Sequence, residues 1–154
     1  MQKISFLLFG LLFSIFSFAQ KIIVTDLGDK ITLSNSLLEV SFNKLTADIT
    51  EIKNADKTSL LGRNGRGYLL GPGFSMNGCQ FSLVRKRDDL VEIAFTSVQK
   101  NNFTYDLHYV LTSSVSGVYC YLVQSHKATD SVGDYGQTRW GIRADESLFD
   151  YHLV

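Results

Sequence analysis

The chain has 154 residues, and its 15 Lys and Arg residues balance its 15 Asp and Glu residues, so the formal net charge at pH 7 is zero. Such a balance produces no global field that would favour nucleic acid or an anionic membrane as a partner. The length is that of one domain. Aromatic residues are plentiful, with 11 Phe and 7 Tyr.

The first predicted element is a secretory signal peptide over residues 1–19. Lys3 precedes an apolar run at residues 4–18, and Ser17-Phe18-Ala19 ends it as a small-x-small cleavage site. The run is too short for a confident membrane span, and no cysteine directly follows it that would carry a lipid anchor. We therefore expect a secreted or periplasmic protein whose mature chain begins at Gln20 and has no membrane span.

In the mature chain, residues 20–154, apolar residues recur with period two rather than with the three-four spacing of an amphipathic helix. Short apolar segments bounded by Gly, Asn, Asp, Ser or Lys clusters are predicted as strands. They are Ile31–Leu33, Leu38–Phe42, Ile49–Lys53, Gln80–Val84, Leu90–Thr96, Phe103–Leu111, Val118–Gln124 and Gln137–Ile142. Evenly spaced strands with polar turns predict an all-β fold, an antiparallel β-sandwich, without repeats or linkers.

Residues 61–73 are dense in glycine and carry Arg63 and Arg66. They lack the lysine and Ser/Thr ending of a phosphate-binding loop. The segment is predicted as a tight loop between strands. From such a loop Arg66 could reach a ligand if the loop folds over the sheet.

The histidines do not indicate a metal site. His108, His126 and His152 are far apart, and no Cys or carboxylate stands beside them at the spacing of zinc ligands. His108 is predicted on the polar face of its strand, opposite Tyr105 and Tyr109. We expect no metal and no cofactor, and no cluster of oxygen ligands argues for calcium.

Cys79 and Cys120 leave two alternatives open. A secreted protein can form a disulfide between them. Two buried thiols are the other alternative, because the sequence gives no distance between the two residues.

The last predicted strand carries the candidate binding residues, Arg139 and Arg143. In an extended chain Arg139, Gly141 and Arg143 share one face, while Trp140 and Ile142 share the other. Gly141 would leave a gap between the two guanidiniums in which a ligand could approach the backbone. Two such groups suit a carboxylate-bearing ligand. The alternative is that both arginines are solvated on an exposed sheet face, where long charged side chains usually lie.

Three patches are spread over most of the length of the mature chain: residues 31–53 (ITLSNSLLEVSFNKLTADITEIK), residues 64–68 (NGRGY), and residues 108–151, which include GQTR at 136–139. In their order and spacing they resemble the rhamnogalacturonate lyases of polysaccharide lyase family four. The resemblance implies a β-sandwich similar to the supersandwich of galactose mutarotases, of which residues 20–154 would be an N-terminal portion, incomplete at the C-terminus. An incomplete sandwich would expose an apolar face and a sheet edge, which predicts poor solubility or self-association unless another segment covers them.

The resemblance also implies β-elimination in the rhamnogalacturonan I backbone of pectin. A base removes the proton α to the galacturonate carboxylate, and the bond from rhamnose to the uronate O4 breaks. The reaction needs positive charge at the carboxylate and a base of suitable pKa. By resemblance, Arg139 and Arg143 match the family's substrate-binding arginines, and acidic plant polysaccharide is the implied partner.

The chain departs from the family at the catalytic residues. The family's lysine would fall at Leu148, before Phe149, and no lysine follows Lys127. The family's histidine would fall beyond Val154, and His152 does not match it in position. The catalytic residues are therefore unknown, and the chain is predicted to be inactive alone.

Two further classes of protein remain open from the sequence. One is a non-catalytic β-sandwich that binds acidic carbohydrate through the same arginines. The other is a surface or adhesion sandwich without sugar chemistry. An aldose epimerase is disfavoured because a shared fold does not carry function.

Overall fold

The computed structural model describes residues 21–71, 75–99, 102–131, 133 and 137–149. The predicted signal peptide and His152 lie outside these residues. The described residues form ten strands in two antiparallel sheets, so the chain is an all-β antiparallel β-sandwich, as predicted. No helical segment with the length and hydropathy of a transmembrane span occurs in the described parts of the chain.

The six-stranded sheet has the order β1-β2-β3-β4-β5-β10, and the four-stranded sheet has the order β6-β7-β8-β9. The strands are β1 Ile23–Leu27, β2 Lys30–Ser34, β3 Leu38–Asn43, β4 Ile49–Asn54, β5 Gly67–Leu70, β6 Gln80–Lys86, β7 Leu90–Val98, β8 Phe103–Thr112, β9 Val118–His126 and β10 Arg139–Ile142. Both sheets are meanders of sequential neighbours, except that β10 joins the first sheet beside β5.

The core lies between the sheets and is built on period-two alternation. On β8, Tyr105, Leu107, Tyr109 and Leu111 are buried, while the residues between them are less so. The Tyr109 ring lies 4.8 Å, centroid to centroid, from that of Phe42 on β3. Each large apolar side chain buried in this way contributes about 1.5–3 kcal/mol relative to exposure.

All eight predicted strands are present, but two strands were not predicted. β5 lies inside residues 61–73, so the prediction of a loop throughout that segment was wrong. Gly67 begins β5 because its backbone packs on Ile49, where an added Cβ would lie only 3.1 Å from the side chain. A glycine that indicated a loop in the sequence is here a point of close approach within a strand. The other strand, β1, is short and mostly exposed.

Exposed apolar side chains lie at one side of the sandwich. On β10, Trp140 and Ile142 lie on the inward side yet are 41% and 45% exposed. Cys120 on β9 is also exposed, although its register partner Tyr109 on β8 is buried. Among the described residues, apolar side chains are therefore left exposed between β9 and β10.

Candidate carboxylate-binding site

The pairing of β10 with β5 places Arg139 on the outer face of the six-stranded sheet, and Arg143, the residue after β10, lies on the same face beside Tyr68. Gly141 pairs with Tyr68 and Arg139 pairs with Leu70. Trp140 points the other way, since its Nε1 donates a hydrogen bond to the Tyr109 hydroxyl at 3.3 Å. The predicted division of this strand into an arginine face and a tryptophan face is therefore present in the structure.

The gap expected beside Gly141 is occupied. The Tyr68 ring lies over this glycine, and an added Cβ would meet the ring's Cζ at 3.3 Å and its hydroxyl at 3.4 Å. The expectation that a ligand could approach the backbone there was wrong. Tyr68 is the residue that sequence reasoning missed, because the β5–β10 register is a long-range pairing that no local pattern encodes.

Tyr68 brings two guanidiniums together. The guanidinium carbon of Arg66 lies 4.8 Å from the ring centroid, and that of Arg143 lies 5.8 Å from it. Both distances are in the range of cation–π attraction, which contributes about 0.5–1 kcal/mol at exposed sites. The backbone N–H of Arg143 also donates to the Arg66 carbonyl at 2.9 Å. Arg66 thus joins the predicted pair, and we refer to Arg66, Tyr68, Arg139 and Arg143 as the arginine face.

The three arginines differ in their partners. Arg66 pairs with Asp48, Nη1 to Oδ2, at 3.0 Å. Arg139 donates from Nη2 to the neutral amide oxygen of Gln137 at 2.6 Å. Within the described residues no carboxylate lies at ion-pair distance from Arg139 or Arg143. Two guanidiniums on one face therefore keep donors that no described carboxylate occupies.

Two clefts flank this arginine face. The first, the Tyr68 cleft, has a volume of about 190 Å³ and is lined by Thr46, Asp48, Arg66, Tyr68, Leu69, Leu70, Ser75, Met76 and Asn77. The second, the Arg63 cleft, has a volume of about 350 Å³ and is lined by Gly62, Arg63, Gly65, Arg143, Ala144, Asp145, Glu146 and Ser147. The larger cleft is within the size range of small-molecule sites.

Backbone contacts hold the Arg63 cleft together. The N–H of Gly62 donates to the Arg143 carbonyl at 3.2 Å, and the N–H of Asp145 donates to the Leu60 carbonyl at 3.0 Å. Hydrogen bonds from Ser147 lower the pKa of Asp145, so this carboxyl is ionised at neutral pH. The cleft therefore mixes both signs of charge, whereas the arginine face beside it is positive.

The position matched to the lyase lysine offers no acid–base group. Leu148 and Phe149 follow β10 in a turn, are about half exposed, and bond through their N–H groups to the Asp145 carbonyl. His126 contacts the Ser131 carbonyl at 3.0 Å, and His108 lies on the other sheet. Among the described residues, no lysine or histidine is hydrogen-bonded or ion-paired with a residue of the arginine face.

Lysines on the same outer face form ion pairs across β2–β4. The Glu51 carboxylate pairs with Lys30 Nζ at 2.9 Å and with Lys53 Nζ at 2.8 Å, and it accepts a hydrogen bond from the Ser41 hydroxyl at 3.2 Å. The hydrogen bond from Lys53, followed by that from Lys30, lowers the pKa of Glu51 to about 2. Lys53 also lies 3.7 Å from Glu39. We refer to this group as the β2–β4 ion network.

His108 lies on the polar face of β8, opposite Tyr105, as predicted, but it belongs to a network that the sequence did not reveal. Its Nδ1 lies 2.9 Å from Glu92 Oε1, and its Nε2 lies 3.2 Å from Asp106 Oδ2. The Tyr121 ring stacks on it at 4.5 Å, and the Tyr121 hydroxyl donates to Glu92 at 2.5 Å. That bond lowers the pKa of Glu92 and raises the pKa of Tyr121 to about 12. Both ring nitrogens are engaged, which favours a structural role.

Neither cysteine forms a disulfide. Cys79 is buried and Cys120 is exposed, so of the two alternatives the free thiols are present, with only one of them buried. Burial raises the pKa of the Cys79 thiol. Within the described residues, no group of three or more His, Cys, Asp or Glu side chains is arranged to hold a metal ion.

No protein-family model and no curated protein matches this chain. The resemblance to rhamnogalacturonate lyases therefore stays a prediction from the sequence patches 31–53, 64–68 and 108–151.

Proposed function

We propose that this chain is part of a secreted or periplasmic rhamnogalacturonan lyase, and that its arginine face binds the uronate carboxylates of rhamnogalacturonan I. The observation that carries the proposal is the placement of Arg139 and Arg143 on one strand face, with no described carboxylate at ion-pair distance. Guanidinium groups bind carboxylates through paired hydrogen bonds that add geometric specificity to the charge attraction.

The same geometry suits the electrostatic demand of β-elimination. As the proton α to the uronate carboxylate leaves, negative charge spreads onto the carboxylate oxygens. Donors already fixed at those oxygens stabilise the developing charge without reorganisation. The contact with Tyr68 orients the Arg143 guanidinium before a ligand binds, which reduces the entropy lost on binding.

The described residues supply the binding half of such a site. Leu148 occupies the position matched to the family's lysine, and no described histidine lies at the arginine face. We therefore expect the purified 154-residue chain to bind the polysaccharide without cleaving it. Appearance of unsaturated uronate, followed by its ultraviolet absorbance, would show that the chain holds a base which the arginine face does not reveal.

The second candidate function is a non-catalytic sandwich that binds acidic carbohydrate. The observation that favours it is the same lack of a described acid–base group beside Arg139 and Arg143. The two candidates share the arginine face and differ only in turnover. The assay for unsaturated product made by the chain as its host secretes it therefore distinguishes them.

Calorimetric titration with rhamnogalacturonan I oligomers tests the binding role. A charged hydrogen bond contributes about 1.5–3 kcal/mol, so Arg139→Gln with Arg143→Gln should weaken binding by about 100-fold or more. Oligomers whose carboxylates have been reduced should bind the parent chain as weakly as acidic oligomers bind the double variant. The matched control is Arg87→Gln, which removes an exposed arginine paired with Asp89 at 2.8 Å between β6 and β7. Unchanged affinity in the double variant would refute the role of the arginines.

A further inference from the structure

Three of the four sheet edges carry features that discourage pairing with another strand. β1 has five residues and carries Asp26, and β10 has four residues and carries Arg139. β6 has a register shift between Leu83 and Arg85, and it ends at Lys86. Short length, charged side chains and bulges are the means by which proteins keep sheet edges from adding strands.

The fourth edge, β9, has none of these features. Its nine residues, VYCYLVQSH, include no Lys, Arg, Asp, Glu or Pro. Its register with β8 runs without a shift from Val118 to His126. Within the described residues no strand pairs with its other side. The free edge is thus uncharged and regular, and about 30 Å long at the usual rise per residue.

Over its first six residues, 118–123, β9 is also apolar on both faces. Tyr119, Tyr121 and Val123 lie on the outer face and are 57%, 44% and 48% exposed. Val118 and Leu122 lie on the inner face and are half-buried. Strands that are apolar on both faces are typical of the interior of a sheet rather than of its edge.

We propose that β9 of a second copy of this chain pairs antiparallel with β9 along the free edge, so that two four-stranded sheets become one of eight strands. A two-fold axis gives an antiparallel pair of identical strands, in which each surface patch meets itself. Like charges directly opposite each other destabilise a pair of strands. β9 has no carboxylate, lysine or arginine, and its one histidine, His126, is at the end of the strand, so the two copies of it lie at opposite ends of the pair.

The pairing brings the exposed apolar residues of the two copies together. Near the axis, Tyr121 and Val123 of one copy approach the same residues of the other on the outer face. These cross-strand contacts between aromatic and β-branched side chains add to the backbone hydrogen bonds. The inference is independent of the arginine face, which lies on the other sheet.

Sedimentation equilibrium of the purified chain tests the proposal. A dimer is expected at micromolar concentration, and Val123→Lys should raise its dissociation constant at least tenfold by placing two like charges near the axis. Val123→Thr, which keeps an uncharged β-branched side chain, should leave the dimer within a few-fold of the parent. Thr25→Lys, on the exposed β1 edge, should leave it unchanged. A chain that stays monomeric at 100-fold higher concentration overturns the proposal.

Hydrogen exchange distinguishes edge pairing from other contacts. Backbone amides of β9 should be protected in the dimer, lose that protection on dilution, and lose it in Val123→Lys. Amides of β1 should exchange at a rate independent of concentration. A dimer in which β9 amides show no such protection, or one that resists Val123→Lys, overturns the proposal. Unchanged near-ultraviolet circular dichroism verifies that each variant is folded.

Discussion

The outer face of the six-stranded sheet uses charge in two different ways. In the β2–β4 ion network, Glu51 takes up Lys30 and Lys53, so each described charge there has an opposite partner. On the arginine face, Arg139 contacts a neutral amide and Arg143 contacts a tyrosine ring. The two regions lie on one sheet, yet only the second contains cations, Arg139 and Arg143, that have no described carboxylate partner.

The difference teaches which part of the face serves the fold and which part serves a ligand. In a network of ion pairs each charge is already compensated, so a further charged partner gains little attraction there. Guanidiniums without described carboxylate partners contribute little to folding, and they keep planar, bidentate donors for a carboxylate. Stability should therefore depend on the network, and glycan affinity should depend on the arginine face.

The largest expected effect is a loss of stability from a substitution in the backbone that supports the arginine face. In Gly65→Ala the new Cβ would lie 2.5 Å from the Arg143 carbonyl oxygen and 2.7 Å from the backbone of Gly62. Because backbone atoms cannot rotate away, overpacking should lower the free energy of unfolding by about 1–3 kcal/mol. Urea denaturation measures this change. The control is Gly117→Ala, whose Cβ would lie 3.7 Å from the Val115 side chain and should be nearly neutral. Equal stability of the two variants would contradict the close approach.

A smaller effect separates the two regions directly. Glu51→Gln removes the shared acceptor of two lysines and should lower the free energy of unfolding by about 1 kcal/mol at pH 7. Arg143→Gln should change it by less than about 0.5 kcal/mol, because an exposed guanidinium without a described ion pair contributes little to folding. Urea denaturation of both variants beside the parent measures the contrast. A larger loss in Arg143→Gln than in Glu51→Gln would reverse the assignment of the two regions.

The smallest effect is the pH dependence of that contrast. The pKa of Glu51 is about 2 in the folded chain, against 4.5 for the unperturbed group. A lowered folded pKa contributes stability above pH 4.5 and loses it as the pH falls through about 2. The stability difference between the parent and Glu51→Gln should therefore shrink steadily over this window. The difference between the parent and Arg143→Gln should stay flat, and thermal unfolding at several pH values measures both.

The sequence predicted the strands in which every second side chain faces a filled core. β8 alternates cleanly because every second side chain from Tyr105 to Leu111 meets a buried partner. β5 was missed because Gly67 indicates a loop when its contact with Ile49 is unknown. The local sequence pattern therefore predicted the regular strands, and it failed for a strand that depends on a contact with a residue distant in sequence.

The candidate site was predictable to the same extent. Period two placed Arg139 and Arg143 on one face, because alternation is a property of the strand itself. It could not place Tyr68 over Gly141, since the β5–β10 register joins residues 73 positions apart. The contact of His108 with Glu92 was hidden for the same reason, since Glu92 comes from a neighbouring strand. Partners across strands are fixed by the fold, and sequence spacing does not encode them.

Trp140 gives the molecule a built-in optical reporter. It is the one tryptophan in the chain, and its indole N–H donates to Tyr109 in the core of the opposite sheet. Its neighbour Arg139 faces the proposed ligand from the other side of the same strand. Any displacement of β10 that accompanies carbohydrate binding changes the indole environment. Its emission therefore follows events on the arginine face without an added label.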